Sequence, residues 1–202
     1  MTAADYSHPI EGVILAGGQG NRLDGQDKGL IPLKGRPLVQ WVIEALHPQV
    51  NGIVISANRN LERYRQFGYT VLPDEVEGFA GPLAGLSQAM KHTSRALILT
   101  VPCDTPFLPV DLAERLRLKL EAENADIAIP VVDGRTQHAI MLCQHHVANN
   151  LEQYIRRGGR KVAGWQQSLK TVEVPFETPF LNINTQEDLR QAEHIAKKKD
   201  AS

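Results

Sequence analysis

Short apolar runs alternate with amphipathic stretches along the first two thirds of the chain. Residues 12–16 (GVILA), 53–56 (IVIS), 69–72 (YTVL) and 96–101 (ALILTV) are brief runs bounded by turn-forming residues. Such runs predict strands buried on both faces. Between them, Leu38–Leu46, residues 61–67, Pro82–His92 and residues 109–122 carry apolar residues at helical spacing, with Pro37 suited to a first helical turn. Strands separated by helices imply parallel βαβ units with right-handed crossovers and helices on both sheet faces. The predicted class is α/β: a three-layer α/β/α, Rossmann-like, mostly parallel sheet.

Residues 125–131 form another predicted strand, and from Val132 onward the pattern changes. Asp133-Gly134 suits a hairpin turn between residues 127–131 and 139–143, which adds a small antiparallel C-terminal portion. Helices are expected over residues 144–157 and about 161–168, a strand over 170–174, and a last helix over 185–199. Thr185 followed by Asp188 fits a helix N-terminus, with Asp in place of the usual Glu or Gln. No repeat or low-complexity linker divides the 202 residues. The expectation is one domain, 1–202, with halves at about 10–108 and 109–198.

Bulk properties narrow the function. A net charge of -1 gives no basic footprint for nucleic acid, so an anionic ligand must be held by local groups. Cys103 and Cys143 lie far apart and form no CxxC pair, which points to a reducing compartment. The polar start lacks a secretory apolar core, and no apolar run is long enough for a bilayer. A cytoplasmic location is expected.

Candidate chemistry gathers at strand ends. The glycine loop after Leu15, Asp74 after Leu72, and Asp104 after Val101 all follow predicted parallel strands, where open α/β sheets bind ligands. The loop Leu15-Ala16-Gly17-Gly18-Gln19-Gly20-Asn21-Arg22 is neither a Walker A loop nor a complete GxGxxG fingerprint. Its glycines still let backbone N–H groups approach anionic oxygens, and Arg22 and Lys28 add charge. Glycines alone suit a tight strand-to-helix turn equally well; Arg22 and Lys28 favour phosphate. Asp104, in Pro102-Cys103-Asp104-Thr105-Pro106, is placed to hold a hard cation such as Mg²⁺, or else to serve as a turn aspartate. Cys103 reads as a packed small hydrophobe. Gly81-Pro82 opens a helix whose free N–H groups can face a ligand, while Gly85 suits close packing. His138, His145 and His146 read as structural or exposed. The basic turn Arg156-Arg157-Gly158-Gly159-Arg160-Lys161 is either a solvated face or a contact for an anionic second substrate.

These residues resemble a known family. Leu15-Ala16-Gly17-Gly18-x-Gly20-x-Arg22 with Asp27-Lys28-Gly29 resembles the signature loop of nucleotidyltransferases with a glycosyltransferase-A-like fold. Ser56-Ala57-Asn58-Arg59, Asp74, Gly81-Pro82-Leu83-Ala84-Gly85, Pro102 to Pro106 and Asn182-Ile183-Asn184-Thr185 follow in the order of molybdenum cofactor guanylyltransferases. The resemblance runs from Gly12 to about Leu189. It implies GMP transfer from GTP to the terminal phosphate of molybdenum-molybdopterin, with release of pyrophosphate. By position it implies GTP contacts at Leu15, Ala16, Gly17, Gly18, Lys28, Ser56, Asn58, Asp74, Gly81 and Asp104. Catalytic roles fall to Asp104, Lys28 and Arg22, and Mg²⁺ to Asp104. Asp74 is the candidate for selecting guanine through its N1–H and N2–H₂ donors. The molybdopterin site is expected around Gln137, Arg156, Arg160, Lys161, Asn182 and Asn184. Upstream molybdopterin-processing enzymes, and apo-molybdoenzymes or their chaperones, are the implied protein partners. This chain departs from relatives at Ser56, which is asparagine in some, and at His138, where many have proline. Three alternatives stand beside this one: CTP-dependent transfer to molybdopterin, sugar-phosphate nucleotidyl transfer, and a non-catalytic nucleotide-binding or cofactor-delivery protein.

Overall fold

The structure, a computed structural model, describes residues 8–17, 26–74 and 81–199. The elements run β1 (Ile10–Leu15), β2 (Pro32–Leu33), β3 (Arg36–Pro37), α1 (Leu38–Leu46), β4 (Gly52–Ser56), α2 (Leu61–Arg65), β5 (Thr70–Leu72), α3 (Pro82–His92) and β6 (Leu97–Pro102). They continue with α4 (Leu112–Ala122), β7 (Ile127–Val132), β8 (Arg135–Thr136), β9 (Met141–Gln144), α5 (Ala148–Arg156), α6 (Val162–Gln166), β10 (Thr171–Pro175) and α7 (Gln186–Lys199).

The main sheet has the order β10-β7-β9-β6-β1-β4-β5, with β8 paired to β7. The β1–β4, β1–β6, β4–β5 and β7–β10 pairs are parallel, whereas β9 runs antiparallel to both neighbours. The three-layer, mostly parallel α/β class inferred from the sequence is what folds. The antiparallel strand β9 sits inside the sheet, between β6 and β7.

Period-two alternation explains how both faces fill. Ile10, Ile14, Ile53, Ile55, Leu97, Leu99 and Val101 point to a face covered by α1, α2 and α4. Val13, Val54, Ile98, Ile127 and Ile129 point to the opposite face, under α3, α5 and α6. Gln49 joins the end of α1 to the start of α4 through the carbonyls of Ala45 and Pro109 and the amide of Ala113.

Several local expectations shift. Pro37 ends β3 and serves as the N-cap of α1 with an extended backbone, rather than lying inside the first turn. Asp133 and Gly134 have φ values of 50° and 70°, as a two-residue hairpin turn requires. The turn's direct partner is β8, though, and pairing with β9 resumes three residues out of step. Residues 137–140 form a bulge between the two ladders, closed by Gln137 N–H to Pro130 O and Ile140 N–H to Gln137 O. The expected helix over 144–157 is a 3₁₀ turn, His145–Val147, followed by α5. The β2–β3 hairpin, turning at Lys34 and Gly35, was not foreseen. Its Leu33, with Leu38 and Trp41, packs against Phe107, Ile183, Ala192 and Ala196. This third cluster fastens α7 to the front of the molecule.

Candidate active site

Strand order places the site. From β1 the chain moves to β4 and β5 on one side, then returns to form β6 on the other. The crevice beyond the carboxyl end of β1 is thus a topological switch point, where α/β sheets take ligands. Backbone bonds extend the ladders past the strand tips: Ala16 N–H to Ser56 O (2.7 Å), Ala57 N–H to Leu72 O (3.1 Å) and Cys103 N–H to Leu15 O (3.1 Å). The tips are stitched together before the loops diverge.

A cavity of about 170 Å³ lies there. Leu15, Ala16, Gly17, Lys28, Ser56, Asp74, Gly81 and Asp104 all line it, so eight of the expected nucleotide-contact residues converge. Gly18 and Arg22 lie outside the described residues. Asn58 does not line the cavity but orients a residue that does. Its Nδ2 donates to Asp74 Oδ2 at 2.7 Å, and its Oδ1 accepts the Asp74 N–H at 2.8 Å. Asp74 Oδ1 is buried without a hydrogen-bond partner among the described residues. Burial raises the Asp74 pKa, opposed by the bond from Asn58.

The opposite wall carries the charged pair. Lys28 Nζ lies 3.0 Å from Asp104 Oδ2 and 2.5 Å from Asn184 Oδ1, with both ionic side chains mostly shielded. The Asp104 turn is braced by the segment before α7: Ile183 N–H donates to Asp104 O at 2.9 Å, and Thr105 Oγ1 to Asn182 Oδ1 at 2.5 Å. Asn184 N–H in turn donates to Asp188 Oδ2 at 2.9 Å.

Two glycines set the third wall. Gly81 has φ 156° and ψ 168°, a region that only glycine occupies readily, and no atom of the described residues lies near the position of a Cβ. It launches α3 with Pro82 at its start, and both residues line the cavity. At Gly85 a Cβ would collide with Ser56 Oγ and lie 2.9 Å from Leu15 Cδ2. Both roles read from this segment, helix N-terminus and close packing, occur together.

The residues expected around molybdopterin do not gather in one place. Asn182 and Asn184 join the Asp104–Lys28 pair. Gln137 lines a separate cavity of about 360 Å³ with Arg135 and Phe180. Arg156 is exposed and faces Glu152 at 3.6 Å. Arg160 donates to the carbonyls of Ile155 and Gly159, and the Lys161 carbonyl accepts from Tyr154 Oη. Sequence reasoning missed Ala139, which also lines this cavity at the end of β1 and carries no chemical signal; only the bulge after β8 brings it there. Cys103 is buried, and burial pushes its thiol pKa far up, as suits a packing residue. His145 Nε2 contacts the carbonyls of Met90 and Thr93, His146 contacts Asp126, and His138 contacts Gln166, all structural or surface roles.

Comparison with known proteins places this geometry. Residues 12–172 match the MobA-like NTP transferase domain, so the class is that of nucleotidyltransferases on an α/β scaffold. The chain is similar to the molybdenum cofactor guanylyltransferase of Cupriavidus necator, 46% identical over 191 residues, covering 91% of this chain and 96% of that one. It is 41% identical to the same-named protein of Shewanella sediminis, over 93% of this chain and 98% of that one. The crystal structure of molybdopterin-guanine dinucleotide biosynthesis protein A from Archaeoglobus fulgidus superposes with a TM-score of 0.78 at 27% identity, covering 93% of this chain and 99% of that one. This chain belongs to the MobA-like NTP transferase family.

Proposed function

We propose that the chain transfers GMP from GTP to molybdenum-molybdopterin, forming the guanine dinucleotide cofactor. The observation that carries this reading is the lysine held between Asp104 and Asn184, facing Asp74 across one cavity at the sheet's switch point. The named relatives support guanine as the base and molybdopterin as the acceptor.

In the reaction, an oxygen of the acceptor's terminal phosphate attacks the α-phosphorus of GTP. The bond from that phosphorus to the bridging oxygen breaks, and pyrophosphate leaves with the electron pair. The attacking phosphate is already ionised, so no general base is needed. Catalysis then rests on positioning and neutralising charge. The backbone at Gly17 and Gly81, which line the cavity, suits phosphate oxygens, and Lys28 supplies a compact cation. Cys103 also lines the cavity, but burial holds its thiol pKa far up, so it offers no thiolate nucleophile.

The donor set fits Mg²⁺. Asp104 offers one hard carboxylate, and among the described residues no cluster of three acidic, histidine or cysteine side chains stands ready to enclose an ion. A shell completed by triphosphate oxygens and water is the arrangement Mg²⁺ favours. When bound, the ion would offset charge developing on the leaving phosphates. Asp74, which lines the cavity and keeps one carboxylate oxygen without a partner among the described residues, is suited to the N1–H and N2–H₂ of guanine.

The two halves work as one domain in this reading, because the sheet runs through both and Asn184 closes on Lys28. The compartment is the cytoplasm, where both buried cysteines stay reduced. The test is Mg²⁺-dependent pyrophosphate release from GTP and from CTP, with molybdopterin supplied. GTP should support turnover, and Asp104→Ala should abolish it while the circular-dichroism spectrum is unchanged. Better turnover with CTP would overturn the choice of nucleotide, and near-wild-type activity in Asp104→Ala would overturn the metal assignment.

A further inference from the structure

Asp27 stands next to Lys28 but does not line the nucleotide cavity. Its carboxylate is nevertheless held at both oxygens. Tyr64 Oη donates to Oδ1 at 2.5 Å, and Asn60 Nδ2 donates to Oδ2 at 3.0 Å. Asn60 immediately precedes α2, and Tyr64 lies near its end. Tyr64 is fully buried within the core face under α1, α2 and α4. Burial, with Cys103 and Asp27 nearby, drives its pKa far upward, so the hydroxyl keeps its proton and remains a donor. Asn60 reaches Asp27 from a left-handed backbone, φ 52°, which asparagine tolerates better than most residues.

Gly29, on the other side of Lys28, completes the arrangement. A Cβ there would collide with Tyr64 Oη and lie 3.3 Å from Cys103 Sγ. The turn is closed by Leu30 N–H to Asp27 O at 3.0 Å and Ile31 N–H to Lys28 O at 3.1 Å. The three residues of Asp27-Lys28-Gly29 thus divide the work. Asp27 is the handle, Gly29 the gap that admits the tyrosine hydroxyl, and Lys28 the cation projecting forward to Asp104 and Asn184.

We propose that Tyr64 is a positioning residue for nucleotidyl transfer: its hydroxyl clamps Asp27 and so fixes the turn from which Lys28 meets the triphosphate. The inference rests on the phosphate-neutralising role given to Lys28 above. Lysine's flexible stem cannot by itself define where its ammonium sits, so the backbone beneath it must be held. A misplacement of about 1 Å at a reacting centre can cost on the order of a hundredfold in rate.

The alternative is that Tyr64 only fills the core, and a double-mutant cycle separates the two. Tyr64→Phe keeps the ring and removes only the hydroxyl. GTP dissociation constants are measured by calorimetry for wild type, Tyr64→Phe, Lys28→Ala and the double variant, and kcat and KM for the first two. Tyr64→Phe should lower kcat/KM for GTP about tenfold, the equivalent of one lost buried hydrogen bond, with the KM for molybdopterin unchanged. It should weaken GTP binding in the wild-type background and leave it unchanged once Lys28 is absent. Equal losses in both backgrounds, or wild-type kcat/KM in Tyr64→Phe, would overturn the proposal. Asp27→Asn, which keeps the shape of the handle, offers a second route and should be non-additive with Tyr64→Phe. A wild-type protein that releases no pyrophosphate from GTP with molybdopterin would instead overturn the function on which the proposal rests.

Discussion

Asp74 offers a direct test of base selection, because the structure fixes which oxygen is free. Asn58 Nδ2 holds Oδ2, while Oδ1 is buried in the cavity wall without a partner among the described residues. In Asp74→Asn the introduced amide must keep its oxygen toward the Asn58 donor. Its NH₂ then occupies the place of Oδ1 and turns a donor toward the N–H donors of guanine. The substitution removes a charge-assisted hydrogen bond and adds a donor–donor conflict. The lost bond alone is worth about 1.5–3 kcal/mol, or about tenfold to a hundredfold in affinity. The assay compares kcat/KM for GTP and ITP, which lacks the N2 amino group. Wild type should prefer GTP, whereas Asp74→Asn should lose GTP efficiency by at least that tenfold and most of its preference over ITP. Acid should have a related effect. Burial raises the Asp74 pKa, so its carboxylate is neutralised at a higher pH than an exposed aspartate, and KM for GTP should begin to climb before the ordinary carboxylate range is reached. An Asp74→Asn enzyme with wild-type GTP efficiency and an intact GTP-to-ITP ratio would refute the assignment.

Two further outcomes follow from the walls of the site. Gly85→Ala should cost about 1–3 kcal/mol of stability by overpacking and should raise KM for GTP, since the new methyl collides with Ser56 Oγ and crowds Leu15; an unchanged melting temperature would contradict this. Asp188 accepts the N–H groups of Asn184 and Thr185, and the Asn184 bond is the largest cause of its lowered pKa. A depressed folded-state pKa means that the ionised carboxylate adds stability above its unfolded-state pKa, and that this is lost as pH falls through the folded value. Asp188→Asn should therefore melt below wild type at neutral pH, with the gap closing in acid; a gap independent of pH would show that the charge plays no part.

Much of the fold could be read from the chain because its strands are continuous apolar runs, and such runs in alternation with helices leave few topologies. What escaped was short or depended on register. The two-residue strands β2 and β3 have no period to detect. The Asp133-Gly134 turn was visible, but nothing in residues 137–140 announces that the ladder slips there and hands Ala139 to the cavity beyond β1. The last helix shows the opposite case. Thr185 and Asp188 cap its start reciprocally, Asp188 N–H to Thr185 Oγ1 at 3.1 Å and Thr185 N–H to Asp188 Oδ2 at 2.8 Å, although the shorter Asp replaces Glu.

The site divides along the same line. Leu15, Asp74 and Asp104 were recognisable because each ends or closely follows a strand, and parallel strands end together, whereas Ser56 entered through the family resemblance alone. Asn184 had no such coordinate. It lies 156 residues from Lys28, in a segment first grouped with Gln137, Arg156, Arg160 and Lys161. The alternation Asn182-Ile183-Asn184 does say that Ile183 faces one way and the asparagines the other, and Ile183 is indeed fully buried. It cannot say against what. That is decided by the third apolar cluster, where Ile183, Ala192 and Ala196 meet Leu33, Leu38 and Trp41 of the hairpin and helix that follow the Lys28 turn. Because the hairpin has no sequence period, the docking it directs has none either. The polar partner of the proposed phosphate lysine is thus selected by hydrophobic packing, one residue out of phase with the bonds that use it.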